Sequence, residues 1–262
     1  MGTPARGRPR TFDRDAALTA ATHLFWERGY HATALSDLTT AMGIRSASLY
    51  QAFGDKQALF REAVATYAAV PGADFVTTAL AQEPTARTAF ARILRDAAHF
   101  YSDPSHPPGC LVITAATNIT PQDTAVEEYL RGLRRANLEI FRDRLTTAAH
   151  DGELPAGTDT TALADYFAVV VQGMSQRARD GIDTAALAAV AELAMAAWPA
   201  RSRTTTDHAG EGRAHPAAVA PDRITPPTAD APVMPRTRPA WQAVSHLPEA
   251  LATPSDECRA DM

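Results

Sequence analysis

Three glycines constrain this chain more than any other feature. Gly29, Gly43 and Gly54 cut residues 12–70 into short apolar-periodic segments. Segments of that length are marginal as isolated helices, so they must hold one another by packing. Asp13 is a good N-cap for a first helix running to about Arg28, with Leu18, Ala21, Leu24 and Phe25 on one face. A second helix is expected from a Thr33 cap, carrying Leu35, Leu38 and Met42. Gly43 breaks the pattern and Ile44 follows as an inward anchor. Ser46 is expected to cap a third helix, with Leu49 and Phe53 turned to the core. Gly54-Asp55 makes a turn, and Asp55 caps a fourth helix bearing Leu59, Phe60, Ala63, Val64 and Tyr67.

The helical period continues far beyond this module. Further helices are expected at about Thr85–Ser102, Cys110–Asn118, Gln122–Ala149, Thr160–Asp180 and Thr184–Trp198. The loop DPSHPPG separates the first two, because Pro and Gly cannot continue a helix. The best β-branched run, Val169-Val170-Val171, lies inside the helical pattern Leu163, Phe167, Val170, Met174. The fold class is therefore all-α. From Pro199 the character changes: the last stretch holds ten of the 19 prolines and no sustained helical period. Such a segment buries too little apolar surface to offset its ordering entropy, and residues 199–262 are expected to be disordered. The expected organisation is a basic arm over 1–11, a module of short packed helices over 12–70 and a helical body over 71–198.

Charge divides along the same lines. The net charge of −5 argues against indiscriminate nucleic-acid binding. Residues 1–70 nonetheless carry a net +2, residues 71–198 a net −6 and the remainder a net −1. A mildly basic head on an acidic body suits contact with phosphate at one end only. No apolar run approaches a membrane span and no apolar stretch follows the basic N-terminus, so a cytoplasmic protein is expected, without membrane contact. Cys110 and Cys258 stand far apart in unlike contexts, and no disulfide is expected between them.

Two short helices joined by a glycine turn, the second nearly free of charge, form a helix-turn-helix layout at about 34–53. Its second helix must enter a major groove about 12 Å wide. The outward residues Ser46, Ala47, Ser48, Tyr50 and Gln51 are small or hydrogen-bonding, and such a face can approach base edges. Gln51 can pair with an adenine edge and Arg45 with guanine.

The run from Thr11 to Ala69 closely resembles the TetR/AcrR family of regulators. The resemblance is carried by LFWERGYHATAL, by LTTAMGIRSASLYQAFGDK and by the helix opening KQALF. It implies a three-helix DNA-binding head, a connecting helix, and a larger helical body that dimerises and binds a small ligand. It implies that Thr33 uses its hydroxyl and amide on phosphate, that Tyr50 reaches phosphate from the third helix, and that Lys56 is a third phosphate contact. Lys56 is the only lysine of the chain, and the alternative for it is a solvated surface charge. Arg6, Arg8 and Arg10 resemble the basic arm that some members lay along the duplex; plain disorder is the alternative. Many members carry Lys and Gly early in the third helix, where this chain reads Arg45-Ser46-Ala47-Ser48, a departure that bears on which operator is read.

The last two helices, about 160–198, are apolar nearly all round and need burial on two sides, so a partner chain is expected to cover one. The resemblance implies the same homodimer. A twofold dimer presents two recognition helices and implies a near-palindromic double-stranded DNA operator. Candidates for an effector pocket are His99, Phe100, Cys110, Asn118, Tyr129, Tyr166, Phe167 and Gln172, with ordinary core packing as the alternative for each. Cys110 opens its helix, where the dipole favours a thiolate and hence redox or electrophile sensing; the alternative is a small buried core thiol. His99, Asp103, His106 and Cys110 match no strong metal spacing, and no metal or cofactor is expected. No GxSxG, HExxH, CxxC, P-loop or GxGxxG motif is present, and an enzyme is not expected. The expected function is a dimeric repressor released from its operator by a small-molecule effector.

Overall fold

The computed structural model describes residues 12–116 and 123–200. The arm with Arg6, Arg8 and Arg10, the candidate Asn118, and the Pro-rich segment beyond 200 lie outside the described residues. The elements run α1 (Arg14–Arg28), α2 (Leu35–Met42), α3 (Ser46–Phe53), α4 (Lys56–Tyr67), α5 (Phe75–Gln82), α6 (Ala86–Tyr101), α7 (Leu111–Thr114), α8 (Thr124–His150), α9 (Thr160–Arg179) and α10 (Thr184–Met195). No strand occurs among the described residues.

The helix ends follow local chemistry. Asp13 accepts hydrogen bonds from the Asp15 and Ala16 amides, and Asp55, Asp159 and Asp183 cap α4, α9 and α10 in the same way. Gly43 adopts φ 65° and ψ 29°, the left-handed conformation that closes α2, and Ile44 then donates to the Thr39 carbonyl at 3.0 Å. Two expected caps are displaced. The N-cap of α2 is Ala34 rather than Thr33, and Asp37 reaches back to accept from the Ala34 amide at 3.3 Å. The N-cap of α3 is Arg45, and Ser46 is already helical.

Two elements of the body differ from the sequence reading. Phe75–Gln82 forms the additional helix α5, which buries Phe75 and Ala79 and packs Val76 and Leu80 partly against the core. The helix expected from Cys110 is one turn long, Leu111–Thr114, before Ala115 and Ala116 turn away.

One continuous core runs from Ala17 to Trp198. At its head end Phe25 and Phe60 meet edge to face at 5.0 Å between centroids. At its far end Phe90, Phe167 and Trp198 form a ring cluster with centroids 4.7–5.7 Å apart. Trp26 joins the two parts. It is fully buried, its ring stacks on His106 at 4.5 Å, and its indole N–H donates to the Gly109 carbonyl at 3.0 Å. Arg179, the last residue of α9, closes the C-terminal end of α1 by donating to the Trp26 and Glu27 carbonyls at 3.2 and 3.0 Å.

Candidate DNA interface and effector cavity

Each of α2 and α3 has eight residues and buries two large side chains, Leu38 and Met42 in one, Leu49 and Phe53 in the other. Full burial of a side chain of this size contributes roughly 1.5–3 kcal/mol, so two per helix suffice to dock it while its other faces stay outside. Arg14 fixes the end of α3. Its guanidinium lies 4.4 Å above the Phe53 ring, donates to both Glu62 carboxylate oxygens at 2.7–2.8 Å and reaches the Ala52 carbonyl at 3.3 Å. The start of α1, the end of α3 and the middle of α4 are thus held by one side chain.

With α3 so anchored, Arg45, Ser46, Ala47, Tyr50 and Gln51 are exposed and Ser48 is half-buried. Tyr50 keeps half of its surface in solvent although its neighbour Leu49 keeps none. Lys56 stands next to this face at the first position of α4. Its Nζ lies 4.3 Å from the centre of the Tyr30 ring, and burial lowers its pKa below the ordinary lysine value, with Asp123 acting in the opposite sense. It is therefore a half-buried, positioned cation rather than a loosely solvated one. Asp123, just before α8, also places its carboxylate 3.0 Å from His31 Nδ1, a link between head and body that nothing in the local sequence signals.

Thr33 is corrected. It is fully buried, and its hydroxyl donates to the Gly29 carbonyl at 2.7 Å. That bond satisfies an orphan carbonyl at the end of α1 and leaves the hydroxyl no path to a phosphate.

A cavity of about 100 Å³ lies between α4, α5, the Cys110 turn, α8 and α9. Of the eight pocket candidates, Cys110 and Gln172 line it. His99 and Phe100 face a separate, open cleft beside α5 and α6. Tyr129 lies under the Arg61 guanidinium at 4.6 Å, Tyr166 donates to the Ala194 carbonyl at 3.2 Å, and Phe167 belongs to the Phe90–Trp198 ring cluster. These three pack between helices and do not line the cavity. Sequence reasoning missed Tyr67, Phe75, Tyr101, Arg134 and Asn137, which also line the cavity. A weak signal existed in the spacing of Arg134 and Asn137, one turn apart on an otherwise amphipathic helix.

For Cys110 the structure fits the buried core thiol rather than the thiolate. The amides of Val112 and Ile113 and the Tyr67 hydroxyl all favour its thiolate, as the helix start suggested, but burial outweighs them and pushes the thiol up. The group is a thiol at neutral pH. Among the described residues no cluster of His, Cys, Asp and Glu is arranged to hold a metal ion.

A third surface carries the opposite chemistry to α3. On α9 and α10, Val169 and Leu193 are 68% and 75% exposed, and Val190 and Tyr166 are also open. No helix among the described residues is long and apolar enough to cross a membrane.

A short uncharged helix projected by a glycine turn, with a cation at the start of the next helix, defines a helix-turn-helix DNA-binding regulator. Comparison with known proteins agrees. Residues 17–63 match the family described as bacterial regulatory proteins, tetR family, and residues 87–213 match a tetracyclin repressor-like C-terminal domain. The HTH-type transcriptional repressor ComR of Escherichia coli (strain K12) is 32% identical over 195 residues, covering 74% of this chain and 93% of that protein. The repressor BdcR of the same organism is 30% identical over 193 residues, covering 72% and 90%. Among solved structures, a cysteine-substituted form of the TetR family regulator CifR, complexed with 26bp double-strand operator DNA, is 42% identical with a TM-score of 0.70, covering 74% of this chain and all of that one. The chain belongs to the TetR family of transcriptional regulators. It is a regulator, not an enzyme.

Proposed function

We propose that this chain is a homodimeric repressor that leaves a near-palindromic operator when a small molecule enters the cavity. The observation that carries this reading is the course of α4. Lys56, at its first position, stands beside the DNA face, and Val64, Tyr67 and the following Ala68 form part of the cavity wall. At 1.5 Å per residue the two ends are about 17 Å apart along one rigid element. A ligand that displaces Tyr67 therefore moves Lys56 and the head with it.

A second connection supports the same coupling. The Cys110 amide donates to Ser175 Oγ at 2.9 Å, while the preceding Gly109 carbonyl accepts from Trp26 of α1. Gly109 adopts φ 80°, and a Cβ there would meet the Ser175 carbonyl oxygen at 2.7 Å, so only glycine lets the turn lie this close to α9. The cavity wall and the end of α1 thus share one turn.

In this reading residues 12–70 bind DNA, and residues 71–198 bind the effector and dimerise. Arg45, Ser46, Ala47, Ser48 and Gln51 face base edges, and Tyr50 and Lys56 hold phosphates. The exposed aliphatic face of α9 and α10 meets a second copy, which spaces two α3 helices for successive major grooves. The protein works in the cytoplasm. To turn a site from 99% to 1% occupied, the effector must prefer the released conformation by about 5.5 kcal/mol.

The test is titration of a palindromic fragment from the gene's own upstream region at low salt, followed by fluorescence anisotropy. Dimeric binding with a steep salt dependence is expected. Failure to bind any upstream fragment under those conditions overturns the reading.

A further inference from the structure

The cavity has an unmatched charge. Arg134 lines it, and its Nη1 donates to the Val112 carbonyl at 3.2 Å. No carboxylate among the described residues lies within ion-pair distance of it. Glu127, the acid that acts on it from along α8, is already paired with Arg131. Burial and the like charge of Arg131 push the Arg134 pKa down, which marks a guanidinium drawn partly out of water without a counterion. The acid in the cavity wall, Asp74, is exposed and accepts from the Thr78 hydroxyl at 3.0 Å. It gives Arg134 no compensation.

What surrounds Arg134 completes a recognisable chemistry. Asn137 stands one turn further along α8, and Gln172, an exposed residue of α9, also lines the cavity; each carries an amide donor. Most of the remaining wall is apolar, with Phe75, Phe141 and Val171 in it. A planar guanidinium binds a carboxylate through paired N–H donors, and a single positive charge in an apolar wall matches a single negative one. A phosphate, with close to two charges, would need more donors than the wall provides.

We infer that the effector is a small organic monoacid whose carboxylate docks on Arg134, with Asn137 and Gln172 beside it, and whose apolar part lies against Phe75, Phe141 and Val171. This rests on the reading of the cavity as the effector site. It adds the ligand class, and it gives a role to an arginine in a wall that aliphatic side chains could fill. The docked acid neutralises Arg134, tightens α8 against α9 and presses on the Tyr67 end of α4.

The experiment uses the full chain and matched probes: benzoate, benzamide and benzylamine, then hexanoate and hexanamide. Thermal unfolding reads binding, and anisotropy of the operator complex reads release. Either acid should raise the unfolding temperature and release DNA at concentrations where its amide and the amine do neither. Arg134→Gln should fold, bind operator and lose roughly thirtyfold or more in affinity for the acid. Arg134→Lys should retain part of that affinity. If Arg134→Gln does not fold, the acid-to-amide ratio in the wild-type chain and its reduction in Arg134→Lys decide the matter. Equal binding of acid and amide, unchanged acid affinity in Arg134→Gln, or no binding of either acid overturns the inference. Release of DNA by the amide or the amine would do so while leaving the effector reading intact. Absence of operator binding before any probe is added would instead remove the functional reading itself.

Discussion

The outward face of α3 and the patch of Val169, Val190 and Leu193 on α9 and α10 are both uncharged and both open to water, yet they suit opposite partners. On α3 the exposed groups are Ser46, Ala47, Tyr50 and Gln51, which present hydroxyls and an amide. On α9 and α10 the large exposed aliphatic groups are Val169, Val190 and Leu193, whose side chains are only carbon, with Tyr166 and Gln172 also exposed on α9. A polar face exchanges water for base-edge or phosphate hydrogen bonds at little net gain, so it supplies selectivity and leaves affinity to charge. An aliphatic face releases water without needing geometry, and it supplies association energy of about 25 cal/mol per Å² buried, before the costs of docking. Lack of charge alone does not define a surface. The hydrogen-bonding capacity of what replaces charge does.

Breaking the aliphatic face should have the largest effect. Light scattering should show a dimer for the wild-type chain and a monomer for Val169→Asp combined with Leu193→Asp, with helical circular dichroism retained. In the proposed dimer operator binding joins two half-sites, so affinity for the full palindrome should fall by about 10²–10⁴. A dimer that survives both changes would mean that this face is not the interface.

Next come Lys56 and Tyr50, the proposed phosphate contacts. Lys56→Ala should weaken binding to all DNA sequences alike and reduce the salt slope by about one per protomer. Tyr50→Ala should weaken binding as uniformly but leave the slope nearly unchanged, since no cation is lost. A sequence-dependent loss in either would move that residue among the base contacts.

Smaller effects are expected where α3 meets bases. Gln51→Ala or Arg45→Ala should relax preference at one base pair by about 1–3 kcal/mol, measured on an operator substitution panel. The smallest belongs behind the DNA face. Thr33→Val should cost about 1–2 kcal/mol of stability by leaving the Gly29 carbonyl unpaired, with base preference unchanged. A large affinity loss without destabilisation would restore the hydroxyl as a phosphate ligand.

The head was far more legible than the cavity. Of the expected anchors Leu38, Ile44, Leu49 and Phe53, three are buried and Ile44 is half-buried against the core. Thr33 was misread because the same residue types cap helices and satisfy the end of the preceding one, and the local pattern does not separate the two uses. In the body, Tyr166 and Phe167 are neighbours in sequence that face opposite ways, one open and one buried, and neither lines the cavity. Arg134 was passed over because an arginine on an amphipathic helix ordinarily faces water.

The sequence by itself determined the all-helical class, the helix-turn-helix and the uncharged character of α3. These follow from glycine conformation, capping and the 3.6-residue period, and each acts over a few neighbouring residues. Only the tertiary structure decided which side chains share the cavity, that Lys56 rests on Tyr30, and that burial overrides the helix start at Cys110. Those outcomes depend on how much water is excluded where distant segments meet, and that quantity has no value until the chain has folded.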